Sequence, residues 1–135
     1  MQSLASLKVF CFGFGNFIVS ISSRSLRAFS RAVAFSFGEK YVHEGDEILI
    51  SEMEHHSNIV PWQMLCERKG LILRVIPINF EGEILQEEYE KLLSKKTKLV
   101  AITHISNTLG TVNPIKEMIA KAHNVGAKFL VAFTQ

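Results

Sequence analysis

Cysteine is scarce in this 135-residue chain: Cys11 and Cys66 stand far apart and form no CxxC pair. A disulfide framework and a structural zinc site are therefore both excluded as organising principles, and a reducing, cytoplasmic setting is the expectation. Long apolar runs are also missing. The stretch 4–21 is broken by Lys8, Gly13, Gly15 and Asn16, well short of the ~20 residues a spanning helix needs, so no membrane partner is expected. Acidic residues are absent before Glu39, and the positive charges Arg24, Arg27 and Arg31 follow the apolar stretch instead of preceding it, which excludes a secretory signal. Serine and arginine are frequent in the same stretch, a composition shared by organelle transit peptides and by out-of-frame sequence. Residues 1–32 are accordingly expected to be a segment unmatched to the rest: an artefact, a truncation scar or a targeting-like peptide. No GxGxxG, GxxxxGK[ST] or GxSxG occurs, so dinucleotide, P-loop and serine-hydrolase readings lack their physical signature.

Charge excludes a further class. The chain has a formal net charge of +2, but Lys8, Arg24, Arg27, Arg31 and Lys40 are opposed before residue 41 by Glu39 alone, so the remainder is net acidic. That distribution provides no basic face for nucleic acid. With 47% hydrophobic and 21% charged residues the composition is that of a globular protein, and the length allows one domain.

Beyond about Val33 the pattern is regular. Residues 46–51 form a β-rich run, and 58–69 follow with apolar Ile59, Trp62, Leu65 and Cys66 ahead of Gly70, which predicts a strand and then a helix with a glycine stop. Residues 71–77 make a second strand. Leu85, Tyr89, Leu92 and Leu93 recur at the spacing of one helical face, with Lys95 and Lys96 closing the stretch. Residues 99–103 are nearly all apolar, as in a strand buried on both faces, and are expected to be central. Asn113 suits an N-cap and Pro114 the first helical position; Ile115, Met118, Ile119, Ala122 and Val125 form a stripe that Gly126 ends. Residues 128–132 supply a fourth strand. Strands alternating with helices predict an α/β fold, a mainly parallel sheet with flanking helices, in 33–135.

Ligands in such sheets bind outside the carboxyl ends of the strands, which directs attention to 51–58, 104–110 and 132–135. The first of these carries His55 and His56 between Glu54 and Asn58. Adjacent side chains on an irregular segment point apart, and no HExxH or paired-cysteine spacing joins them to Glu54, Cys66 or His104, so no metal is expected. A histidine here can equally cap loop backbone, and for His56 that is the reading taken. The loop after residue 103 is rich in hydrogen-bonding groups; it suits either a ligand contact or turn backbone. Cys66 reads as a core thiol and Lys128 as solvent-facing, neither as a nucleophile.

The run GDEILISEMEHHSNIVPWQML (45–65), with RVIPI (74–78) and AITHISNTLGT (101–111), resembles the pyridoxal-phosphate (PLP) cysteine desulfurases and selenocysteine lyases of the SUF type. The resemblance spans roughly 33–131 and implies part of the large domain of a fold-type I PLP enzyme of class V. Such an enzyme is a homodimer that takes sulfur from L-cysteine, or selenium from L-selenocysteine, leaves alanine, and passes the sulfur through an enzyme persulfide to an acceptor protein for iron-sulfur cluster assembly. It implies His55 as the catalytic residue stacked on the cofactor ring, and Asn107 and Gln135 as cofactor-binding residues near its phenolic oxygen. Three departures accompany it. The family's VDGAQ is VAFTQ at 131–135, so Ala132 stands where an aspartate pairs with the pyridine nitrogen. The phosphate-anchoring Gly-Thr-Thr falls near Ser25, Leu26 and Arg27. The Schiff-base lysine and the persulfide cysteine belong beyond the position of Gln135. A truncated homologue, inactive by itself, is the expectation; the alternatives are a non-catalytic binding domain, or a kynureninase-like or aminotransferase-like member of the same class.

Overall fold

The computed structural model describes residues 8–12, 16–21, 23–54, 56–103 and 112–132. Strand β3 (Glu47–Ser51) is buried along its whole length, and β5 (Thr97–Thr103) is buried at every position but Lys98. Between them along the chain come helix α2 (Val60–Lys69), strand β4 (Ile72–Ile76) and helix α3 (Gln86–Leu92). Helix α4 (Ile115–Asn124) and strand β6 (Lys128–Ala132) follow. Ahead of them lie β1 (Lys8–Phe12), β2 (Asn16–Ile21) and helix α1 (Ser23–Tyr41), which runs unbroken across the position where the sequence pattern turns regular. None of the described helices is long and apolar enough to cross a membrane.

The sheet order is β1-β2-β6-β5-β3-β4. Every neighbouring pair is parallel except β1 with β2. The α/β fold and the interior place of β5 are as the sequence predicts, and two more strands than expected join the sheet at its β6 side.

Alternation along the strands sorts the core into two layers, because successive side chains point to opposite faces. Ile48, Ile50, Leu99, Ala101 and Leu130 pack with Trp62, Leu65 and Cys66 on the α1 and α2 side. Leu49, Val100, Ile102, Phe129 and Val131 pack with Tyr89, Met118 and Ala122 on the α3 and α4 side. Both faces of β3, β5 and β6 are apolar, which is why these strand sequences read as continuous runs instead of alternating ones.

Four local expectations are corrected. Asn113 is not a side-chain N-cap: Pro114 occupies that position with no side-chain cap, and the Asn113 amide instead donates to the carbonyl of Thr103 at 2.7 Å. Leu85 is off the buried stripe, 36% exposed in extended backbone just before α3, while Tyr89 fills the core and donates its hydroxyl to Met118 O at 2.7 Å. Residues 56–58 form a separate 3-10 turn ahead of α2. Lys95 and Lys96 lie in the turn before β5, because α3 ends at Leu92. The glycine stop of α2 holds, with Gly70 left-handed at φ 70°.

Two cations of α2 join it to α1: Arg68 pairs with Glu39 at 2.8 Å, and Lys69 binds the end of the helix. Lys69, in the last turn of α2, donates to the carbonyls of Gly38 at 2.6 Å and Val42 at 2.7 Å, and reaches Glu39 O at 3.3 Å. These are carbonyls at or just past the C-terminus of α1, where the helix has acceptors to spare and the macrodipole favours positive charge.

Candidate functional site

Strands β3, β5 and β6 end side by side, since Thr103 is in register with Ala132 and β3 runs parallel to β5. A buried carboxylate organises this edge. Glu54, only 7% exposed, lies three residues beyond β3 and receives three donors. The Ser51 hydroxyl donates to Oε1 at 2.5 Å, the Asn58 amide to Oε2 at 2.7 Å, and the backbone N–H of Thr103 to Oε1 at 2.9 Å. Burial pushes the Glu54 carboxyl above its ordinary range, and the bonds from Ser51, Asn58 and Thr103 pull the other way.

Asn58, fully buried, extends the network. The Trp62 indole donates to Asn58 Oδ1 at 3.1 Å, and Asn58 Nδ2 also approaches Ala101 O at 3.4 Å. An indole N–H can only donate and an ionised carboxylate can only accept, so the Asn58 amide has one allowed orientation. On the far side of Thr103, Asn113 holds its carbonyl and comes within 3.3 Å of Met53 Sδ.

The expected site residues His55, Asn107 and Gln135 lie outside the described residues, as does His104. Both chain neighbours of position 55 are described: Glu54 is buried, while His56 is exposed and opens the 3-10 turn, its carbonyl accepting from Ile59 N at 3.1 Å. Among the described residues no group of three or more His, Cys, Asp or Glu side chains converges as a metal site. Lys98 and Lys128 stand at the amino ends of β5 and β6, the end of the sheet opposite Glu54. Sequence reasoning passed over Glu54, Asn58 and Trp62 as a set; their four-residue spacing was the available signal.

Cys66 is 7% exposed in the α1 and α2 layer, and burial, with the Glu67 charge adding, pushes its thiol up to about 11. Against an ordinary thiol near 8.5, the thiolate fraction at pH 8 falls by roughly two-hundredfold, and the greater basicity of the thiolate returns about a tenth of that. In a Cys11→Ser background, Cys66 is expected to react with iodoacetamide at least tenfold more slowly than a free-thiol peptide at pH 8. A rate equal to the peptide's would show a reactive thiol instead.

A mainly parallel sheet flanked by helices, with a polar network concentrated at the carboxyl ends of its strands, defines an α/β protein whose candidate ligand edge is the one at Ser51, Thr103 and Ala132. The chain belongs to the class-V aminotransferase family, whose family model matches residues 23–135. A cysteine desulfurase of Enterobacter sp. (strain 638) is 62% identical over 99 residues, which are 73% of this chain and 24% of the relative. One from Escherichia coli O8 (strain IAI1) is 59% identical over the same lengths. The chain thus spans about a quarter of the length of the curated relatives it matches. Among solved structures, the Escherichia coli cysteine desulfurase CsdA superposes with a TM-score of 0.75 at 26% identity, covering 78% of this chain and 27% of CsdA. The apo cysteine desulfurase of Thermococcus onnurineus NA1 gives 0.73 at 36% identity, with 78% and 26% covered. The architecture is that of part of the large domain of a fold-type I PLP enzyme.

Proposed function

We propose that residues 33–135 are part of the cofactor-binding large domain of a cytoplasmic, homodimeric cysteine desulfurase, which takes sulfur from L-cysteine, or selenium from L-selenocysteine, and delivers the sulfur to an acceptor protein. The observation that carries this reading is the 62% identity to the Enterobacter enzyme over 99 residues. His55 as the ring-stacking residue, with Asn107 and Gln135 near the cofactor's phenolic oxygen, belongs to the same proposal.

The described residues do not fit PLP by themselves. The cofactor acts as an electron sink when a lysine carries it and an acid keeps its ring nitrogen protonated. Position 132, at the end of β6 beside Thr103, is alanine and offers no charge. Lys98 and Lys128 are at the wrong end of their strands, and all three donors to Glu54 already occupy its carboxylate. What the described residues do is fix the backbone at the edge: Glu54 takes the N–H of Thr103, and Asn113 donates to its carbonyl.

The test is a transplant. Residues 33–135 replace the matching segment of the Enterobacter enzyme, with and without Ala132→Asp, and alanine release from cysteine is followed by chromatography. The chimera carrying Ala132→Asp is expected to turn over. The unaltered chimera is expected to be slower by roughly a hundredfold, the usual cost of losing one electrostatic partner in an active site. No turnover from a folded, PLP-loaded Ala132→Asp chimera would overturn the reading.

A further inference from the structure

Two surface features take no part in the Glu54 network. One is the turn that follows β4. The Gly82 N–H donates to the carbonyl of Asn79 at 3.0 Å, so Phe80 and Glu81 are the two central residues of the turn. Asn79 also holds Glu83 three ways: its N–H donates to Glu83 O at 2.9 Å, its side-chain carbonyl accepts from Glu83 N at 2.9 Å, and its amide donates to Glu83 Oε2 at 3.1 Å. Gly82 supplies the left-handed conformation the turn needs, at φ 81°, and an antiparallel bridge between Ile78 and Ile84 closes the stem. At the apex Phe80 is 109% exposed, more than any other large apolar side chain described. A rigid turn that holds a phenyl ring wholly in water is a preformed anchor, because little of its backbone is left to order on binding.

The other is a groove of about 380 Å3 between α1 and α2, lined in part by apolar Phe35, Met64 and Leu65 and by Arg31, Arg68 and Glu67. Phe35 and Met64 are each 54% exposed. A cavity of about 150 Å3 holds benzene, so the groove has room for a phenyl ring. Arg68 lies over the Phe35 ring at 4.6 Å and pairs with Glu39, while exposed Arg31 has no ion pair among the described residues. In the lining, two arginines face one glutamate.

We propose that Phe80 of one copy of this chain seats in the α1 and α2 groove of a second copy. Charge selects the occupant: Glu81 and Glu83, both exposed beside Phe80, bring carboxylates to a lining that is net positive, and Arg31 is there to pair with them. The groove also offers the ring an aromatic side chain and a thioether, Phe35 and Met64, which both pack favourably against a phenyl edge. Anchor and groove lie on different elements, so the contact is heterologous: the turn of one copy meets the helices of the next, not its own counterpart. It requires neither PLP nor the catalytic reading given above.

The full 135-residue chain is followed by sedimentation velocity at rising concentration, with circular dichroism confirming that each variant is folded. Wild type is expected to associate. Phe80→Ser removes the anchor and Met64→Arg fills the groove, and each is expected to weaken association at least about thirtyfold, the effect of losing a buried hot-spot side chain. An equimolar mixture of the two variants is expected to form pairs and nothing larger, since one supplies the only intact anchor and the other the only intact groove. Glu81→Lys should weaken the contact, and adding Arg31→Glu should restore it. The proposal is overturned by a wild type that stays monomeric, by a mixture no more associated than its parts, or by a charge swap that rescues nothing. Association that Phe80→Ser or Met64→Arg leaves unchanged would place the contact elsewhere, such as at an open sheet edge, and overturn it too. If Met64→Arg fails to fold, Phe35→Lys blocks the groove from α1 and is read the same way.

Discussion

Replacing Trp62 with alanine is expected to destabilise the chain by about 3–5 kcal/mol, the range for removing a large aromatic side chain from a packed core. Trp62 is fully buried, and it packs with Ile48, Ile50 and Ala101 beneath the ligand edge. Two contributions are lost together. The cavity term comes from the ring, and the polar term from the indole N–H, whose loss leaves Asn58 Oδ1 buried without a donor. Trp62→Phe separates them, because it keeps most of the ring and removes the N–H; its cost is expected to be about 1–3 kcal/mol, that of an unsatisfied buried acceptor. Urea titrations followed by far-UV circular dichroism measure both, since tryptophan emission disappears with the residue. For a domain whose whole stability is about 5–15 kcal/mol, a loss of that size is a large share of the total, so the urea midpoint of the alanine variant should fall far below that of wild type. Equal midpoints for the phenylalanine variant and wild type would show that the indole bond contributes nothing.

Lys69→Met is expected to cost about 1.5–3 kcal/mol, the range for hydrogen bonds to a charged group. The methionine keeps the length and the apolar stem, so the loss is confined to the ammonium that serves Gly38 O, Val42 O and Glu39 O. Local hydrogen exchange at the C-terminal turn of α1 should rise more than exchange in β5, because the cation ties α1 to α2 without touching the sheet. Uniform loss of protection across the chain would mean that α1 is no separate unit.

Much of the fold was legible because the inner strands are apolar on both faces. Leu99, Val100, Ala101 and Ile102 leave no alternative to burial, and β6 was bounded by Gly126 and by its own apolar run. The β1 and β2 strands were not legible: Gly13, Gly15 and Asn16 interrupt the apolar stretch, so no periodicity emerges, and the parallel partner of β2 lies at the other end of the sequence. Asn113 was misread for a different reason. Asparagine before a helix predicts a cap, yet the carbonyl of Thr103 competes for the same amide, and only tertiary structure reveals that competitor. Leu85 failed through register, since α3 starts one residue later than its periodicity implied.

Within the candidate site, the sequence drew attention to the histidines, whose chemistry is visible in isolation. Glu54 was invisible as a hub because its decisive partner, the Thr103 N–H, comes from another strand. A carboxylate beside two imidazoles reads as solvated or ligating until β5 is placed against β3.

The seat of β2 against β6, with Ile18 opposite Phe129, has a consequence for how the chain is made. The β1 and β2 pair leaves the ribosome ahead of α1 to β5, and the strand it docks against, β6, emerges only after them. At roughly 5–20 residues per second the pair waits on the order of ten seconds for its neighbour. During that interval the edges of β1 and β2 are open to any other extended chain, so nascent-chain chaperoning would matter most at this end of the molecule.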